Sequence, residues 1–280
     1  MKIMLPNVSK QTLGGGFTFL NTFDKYARRQ GHKITFGDEG ADVVLISGAT
    51  MLTRDFVTDL KRKGRKIVLR VDNIPRNSRN RNTGTSRLFD FAQMADLVIY
   101  QSEWAKAFIA PFLGKDGPVI LNGADEDVFR RDGTAVPKDG GPQYLFSQYN
   151  RDETKCWPVA WYEFIQDFRK NRDAHLWLVG QFSPELQETR FDFFQGEKFH
   201  HWGVIDSPMS MAEILRGTDV LLAPYYNDAC SNTIIEARLC GVPSIISSDS
   251  GGSPEIMDAP LDRLRSSYMV ERYINEMSRI

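Results

Sequence analysis

Short apolar runs alternate with stretches of helical periodicity along almost the whole chain. Ile3–Leu5, Ala41–Ile46, Lys66–Arg70, Asp96–Tyr100 and Pro118–Leu121 predict strands, and Thr18–Gln30, Asp55–Lys63, Ser86–Ala95 and Glu103–Phe112 predict the helices between them. After a gap the alternation resumes. Gln143–Phe146, His175–Val179, Lys198–Trp202, Asp219–Ala223 and Pro243–Ile246 predict strands, with helices at Pro158–Lys170, Pro184–Phe194, Met209–Arg216 and Asn232–Cys240. Strands that alternate with helices form parallel sheets with helices covering them, so the chain is expected to be α/β with two such sheets.

The gap itself concentrates turn formers: Asp132-Gly133, Pro137, Asp139-Gly140-Gly141 and Pro142. Residues 125–142 therefore read as a linker between a first domain, 1–124, and a second, 143–264. With 280 residues there is enough chain for each to build its own core. The charged, amphipathic residues 261–280 predict one or two further helices.

Composition removes several function classes. Hydrophobic residues at 41% and charged residues at 25% are ordinary for a soluble globular protein. A net charge of −1 gives no electrostatic reason to expect nucleic acid as a partner. Cys156, Cys230 and Cys240 lack metal-type spacing, and an odd number argues against a disulfide framework, so a reducing, cytoplasmic setting is expected. Met1–Pro6 lacks the apolar core of a signal peptide, and no run approaches the roughly 20 apolar residues that span a bilayer. Membrane contact is then peripheral at most.

The chemistry concentrates in one stretch, Asp228-Ala-Cys-Ser-Asn-Thr-Ile-Ile-Glu236, followed by Gly241-Val242-Pro243 and Gly251-Gly252-Ser253-Pro254-Glu255. Pro224, Asn227 and Asp228 predict a loop after the apolar run, and a helix then starts near Asn232 and stops at Gly241. A helix start presents free N–H groups and a positive dipole end, which suit a phosphate or pyrophosphate. Glu236, one turn inside, is placed to accept hydrogen bonds from ribose hydroxyls, and Asp228 to meet another part of the same ligand.

This stretch resembles the carboxylate-x7-carboxylate segment of retaining glycosyltransferases of family 4. The resemblance implies a GT-B architecture, two Rossmann-like domains facing a central cleft, with the last helix, 265–280, packed back on the first domain. It implies transfer of a hexose from a nucleoside-diphosphate sugar, of GDP-mannose or UDP-glucose type, to a hydroxyl on a glycan, protein or lipid. No cofactor or metal is expected. By the same resemblance Lys155, with Arg151, and the Ser231, Asn232 and Thr233 helix start hold the pyrophosphate. Asp228 takes sugar hydroxyls, Glu236 the ribose, and Gly14, Gly15 and Gly16 with Asp72 the sugar side.

Three positions depart from the family pattern. Asp228 stands where glutamate is usual, Tyr149 falls where equal spacing puts the arginine, and Asp72 or Asn73 takes the place of a histidine. These departures leave a second reading, a non-catalytic nucleotide-sugar binding module. A dinucleotide oxidoreductase is disfavoured, because no Gly-x-Gly-x-x-Gly occurs. Other candidates have plainer readings. The basic run Lys61–Lys66 ends a helix, where cations suit the dipole. Arg76, Arg79 and Arg81 lie in a polar loop, and Tyr225, Tyr226, Trp157 and Trp161 belong either to the core or to a sugar-stacking surface.

Overall fold

In the computed structural model, which describes residues 1–7, 14–72, 74, 82–138, 140–148, 153–182 and 198–280, the apolar runs form two five-stranded parallel sheets. In chain order the first part holds β1 (Lys2–Met4), α1 (Gly15–Arg29), β2 (Lys33–Thr35), β3 (Val43–Ile46), α2 (Arg54–Arg62), β4 (Lys66–Val71), α3 (Asn82–Met94), β5 (Leu97–Tyr100) and α4 (Glu103–Leu113). The second part holds β6 (Gln143–Gln148), α5 (Trp157–Lys170), β7 (His175–Gly180), β8 (Phe199–His201), α6 (Pro208–Gly217), β9 (Val220–Ala223), α7 (Asn232–Cys240), β10 (Ser244–Ser247), α8 (Ser253–Asp258) and α9 (Ser266–Met277). Two compact units result, Met1–Asp125 with Asp262–Ile280, and Glu126–Leu261.

The first unit's sheet has the order β2-β1-β3-β4-β5. Because side chains alternate faces along a strand, Ile3, Val43, Leu45, Val68 and Ile99 point to one side, and Met4, Val44, Ile46, Ile67, Leu69 and Val98 to the other. On the first side they meet Phe19, Leu20 and Phe23 of α1 together with Met269, Val270 and Tyr273 of α9. The other side is covered by Val57 and Leu60 of α2, Leu88 and Phe91 of α3, and Ile109 of α4. Tyr273 sits edge-on to Phe23 at 5.8 Å and tilted against Phe19 at 5.5 Å. Burying each such ring contributes roughly 1.5–3 kcal/mol, so α9 is part of this core although the whole of the other unit, Glu126–Leu261, intervenes in the chain.

The second unit's sheet has the order β10-β9-β6-β7-β8. The chain moves outward from β6 through β7 to β8, then returns to the other side of β6 for β9 and β10. Between β6 and β9 lies the point where the strand order reverses, and in open parallel sheets ligands bind beyond the carboxyl ends of the strands at such a point. Residues 126–142 belong to this unit: Arg216 of α6 donates from Nε to the Thr134 carbonyl at 2.6 Å, and Val136 N–H donates to the Glu213 carbonyl at 3.0 Å.

Some elements differ from their sequence signal. β2 carries a single apolar residue, Ile34, and gives no run to detect. Residues 118–121 make only an isolated bridge, Val119 to Tyr100, and α8 is too short to show a period. The predicted helix 184–194 lies outside the described residues. Among the described residues no helix is long and apolar enough to cross a membrane.

Candidate functional site

The loops that follow β6 and β9 meet at the carboxyl edge of the second sheet. A single turn, Glu153–Lys155, follows β6, and the Tyr226 N–H donates to the Thr154 carbonyl at 2.7 Å, which ties that turn to the loop after β9. The tie sets Lys155 against Asp228. Lys155 Nζ donates to Asp228 Oδ2 at 2.8 Å, and both side chains remain about one-fifth exposed, at 20% and 19%. Asp228 Oδ1 accepts from the Cys230 N–H at 3.3 Å. Immediately after, Ser231 caps α7, its Oγ accepting from the Ile234 N–H. The capping leaves the Asn232 and Thr233 end of α7 beside the ion pair.

Backbone strain marks the same place. Among the described residues two non-glycine residues have positive φ: Cys156 at 53°, directly after Lys155, and Asn227 at 52°, directly before Asp228. Each left-handed residue costs roughly 1–2 kcal/mol, and such strain persists only where neighbours over-determine it. At Asn227 the neighbour is Ser250, whose Oγ accepts from the Asn227 N–H at 3.2 Å and donates to Asn227 Oδ1 at 2.8 Å. Gly252 N–H donates to the Asp228 carbonyl at 2.8 Å. A Cβ on Gly251 would lie 2.3 Å from the Asp228 carbonyl oxygen and 2.8 Å from its nitrogen, and Gly251 has φ of +72°. Only glycine fits there. The Ser250–Gly252 turn is thus the mould of the Asp228 loop, and Arg238 secures α8 behind it by donating to the Ile256 and Ala259 carbonyls.

Glu236 lies one turn inside α7 and makes no hydrogen bond to a described residue. Burial pushes its carboxyl up to about 8, an effect partly offset by the Lys155 charge. At neutral pH the group is mainly protonated, and hydroxyl donors arriving at it favour release of that proton. Tyr225 is wholly buried, with Lys155 Nζ 3.9 Å above its ring centroid. Tyr226 is 56% exposed. Trp157 and Trp161 pack with Phe146, Phe164 and Phe182 in the core.

At the corresponding edge of the first sheet, loops after β1, β3 and β4 converge. Gly14 precedes α1 with φ of 110°, a Cβ on Gly16 would touch Met51 Cε at 2.7 Å, and one on Gly48 would touch Asp72 Oδ2 at 2.9 Å. Neither Gly48 nor Met51 stands out in the sequence, because their role is to leave or fill space rather than to carry charge. Gly15 is the first residue of α1. Asp125 accepts from Lys25 Nζ at 2.6 Å and from the Tyr26 hydroxyl at 2.8 Å, on the side of α1. Arg151, Tyr149, Asn73 and the arginines of residues 76–81 lie outside the described residues. Among the described residues no group of three His, Cys, Asp or Glu side chains is arranged to hold a metal ion.

So the structure brings Lys155, Asp228 and the start of α7 together, with Glu236 one turn further in. Residues 150–277, which include all of them, match a family model described as glycosyl transferases group 1. No curated protein matches the sequence. Several solved structures are similar in fold. A sucrose-phosphate synthase from Thermosynechococcus elongatus superposes with TM-score 0.70 at 14% identity, covering 99% of this chain and 90% of that one. HepE of Anabaena in complex with UDP-glucose gives 0.64 at 15%, covering 100% and 91%. A UDP-N-acetylglucosamine 2-epimerase described as putative, from Listeria monocytogenes, gives 0.55 at 15%, covering 96% and 73%. These likenesses establish the fold. It is GT-B: two parallel-sheet α/β units.

Proposed function

We propose that this chain is a glycosyltransferase that moves a hexose from a nucleoside-diphosphate sugar to a hydroxyl acceptor with retention. One observation carries the reading: at the strand-order reversal of the second sheet, a lysine, an aspartate and a helix start are held together by two strained loops, with a glutamate one turn inside that meets no hydrogen-bond partner among the described residues. The lysine and the helix N–H groups suit a diphosphate, and Glu236 suits ribose hydroxyls. The match over 150–277 supports the same assignment.

In this mechanism negative charge grows on the leaving diphosphate as the glycosidic bond breaks. Lys155 and the α7 N-terminus stabilise it without reorganising, Asp228 orients sugar hydroxyls while keeping Lys155 in place, and Glu236 fixes the ribose. The acceptor oxygen attacks the face the diphosphate leaves, and its proton passes to the leaving phosphate oxygen. Gly14, Gly15, Gly16 and Asp72 are assigned to the handling of the transferred sugar, and Arg151 to the diphosphate. The UDP and UDP-glucose bound by HepE support a uridine nucleotide over a guanosine one. A cytoplasmic enzyme acting on a glycan, protein or lipid acceptor completes the proposal.

Calorimetry with UDP, GDP, UDP-glucose and GDP-mannose tests the first half, and NMR of the products formed from the bound donor tests the second. Retained anomeric configuration in a glycosylated acceptor is expected. Binding without consumption of donor identifies a binding module, a free epimerised sugar nucleotide identifies an epimerase, and absence of binding to all four ligands refutes the assignment.

A further inference from the structure

The Tyr225 side chain is enclosed, yet its ring faces Lys155, a cation of the proposed site. It is 0% exposed, and the Lys155 ammonium stands 3.9 Å over its centroid. Its hydroxyl donates to the Ser147 carbonyl at 2.9 Å, near the end of β6. The next residue, Tyr226, holds the Thr154 carbonyl through its N–H. One residue pair therefore joins β6 and the Lys155 turn to the loop after β9.

An ammonium has three N–H donors. Asp228 takes one at 2.8 Å. The ring face attracts the charge without using up a donor as a carboxylate does, and being buried it keeps water from that side. With a carboxylate on one side and a ring on another, Lys155 loses the freedom its four-carbon stem would otherwise have, and a donor remains for an incoming oxyanion. Without the ring, Asp228 would be the one group among the described residues to set the position of Nζ. Complete burial excludes a sugar-stacking role for Tyr225.

We infer that Tyr225 is a positioning residue whose ring holds the Lys155 ammonium at the point where the diphosphate of a nucleotide meets it; the inference rests on the function proposed above. The phenol remains protonated throughout the working range, since burial and the Asp228 carboxylate push its pKa far up. The ring thus stays uncharged beneath the cation.

A double-mutant cycle read by calorimetry tests this, using UDP or GDP, whichever the wild type binds, and the corresponding nucleoside. Tyr225→Leu is expected to weaken diphosphate binding about tenfold, the scale of a desolvated cation–π contact. Nucleoside binding should change by less than about twofold, and in a Lys155→Ala background Tyr225→Leu should shift diphosphate binding by no more than that. Tyr225→Phe, which restores the ring, should restore the coupling to Lys155. The ring-current shift of the Lys155 Hε protons gives a readout without ligand: present in wild type and Tyr225→Phe, absent in Tyr225→Leu. If the leucine variant does not fold, Tyr225→Met serves in its place. Equal loss of nucleoside and diphosphate binding, or the same loss with Lys155 already removed, overturns the inference and leaves Tyr225 a core residue. Failure of the wild type to bind either diphosphate refutes the proposed function itself, which the wild-type titration alone reveals.

Discussion

Each unit lays a cation over an aromatic ring near the carboxyl edge of its sheet, and the two arrangements have opposite consequences. In the first, Arg70 of β4 stands 4.1 Å from the Phe19 ring and is only 2% exposed. Its guanidinium donates to the Ser47 carbonyl at 2.9 Å and to Gln101 Oε1 and Asn122 Oδ1 at 3.0 Å each. In the second, Lys155 has one carboxylate, one ring face and a partly open side. A buried planar fork bonded to three fixed acceptors joins β3, β4 and the segments after β5 into one piece. A lysine with a spare donor is able to take a new partner. Sealing turns the first cation into structure, and incomplete sealing leaves the second able to meet a ligand, as the proposed function requires.

The largest expected effect tests the open side of that contrast. Lys155→Ala should lower turnover roughly 10²–10³-fold, as loss of one preorganised electrostatic stabiliser does, with only a small change in thermal midpoint. Initial rates measured beside unfolding curves decide it, and a turnover within a few-fold of wild type breaks the comparison. The sealed side predicts the reverse. Arg70→Met leaves buried acceptors without donors and should cost about 2–4 kcal/mol of stability, while nucleotide affinity in the other unit is unchanged. Arg70→Lys should not rescue it, because a point charge cannot reach three acceptors in a fork.

Two glycines sharpen the comparison by separating strain from crowding. Gly114, at φ of +63°, has nothing within 4 Å of a built Cβ, so Gly114→Ala should cost only the left-handed penalty of about 1 kcal/mol. Gly251, at φ of +72°, adds a collision with the Asp228 backbone. Gly251→Ala should therefore cost about 2–3 kcal/mol and also weaken nucleotide binding, since it moves the loop that carries Asp228. Equal losses in the two variants would show that the Asp228 loop relaxes freely.

The smallest effect is a pH dependence. Glu236 has its carboxyl raised from 4.5 to about 8, so the folded protein holds a proton that the unfolded chain releases between those values. Stability contributed by the protonated group is present below pH 4.5, declines as pH rises through the window, and is fully lost above 8. Ligand hydroxyls that donate to the carboxylate favour its charged form, so nucleotide affinity should rise about three- to tenfold from pH 6.5 to 8.5. Glu236→Gln should flatten both profiles. A wild-type affinity that is level across this range contradicts the ribose assignment.

The sequence made the strands legible where burial on both faces demanded apolar runs, as at Val43–Ile46 and Val220–Ala223. It hid β2, whose single buried neighbourhood needs little more than Ile34. Acidic and basic candidates for the site were legible too, because loops after strands advertise charge. What spacing does not reveal is which of them touch. Lys155 and Asp228 read as partners of two different parts of a ligand, yet they bond each other, since the meeting depends on Tyr226, Ser250 and Gly251 bringing remote loops into register. Gly251-Gly252 was visible as a pair, but its task, yielding room to the Asp228 backbone, is a property of space. Tyr225 likewise has no signal of its own: a buried tyrosine and a tyrosine beneath a cation look the same in a sequence.

The docking of α9 on α1 has a consequence in time as well as in space. The second unit is an insertion into the first: all of its residues, 126–261, are present before the first unit's last core residues, Met269 to Met277, have been made. During synthesis the first 125 residues leave the ribosome with Phe19 and Phe23 lacking their Tyr273 partner. Domains generally close as units once their chain is available, so the half of the protein translated second completes its core first, and the half translated first waits, with an apolar face uncovered, for the final helix.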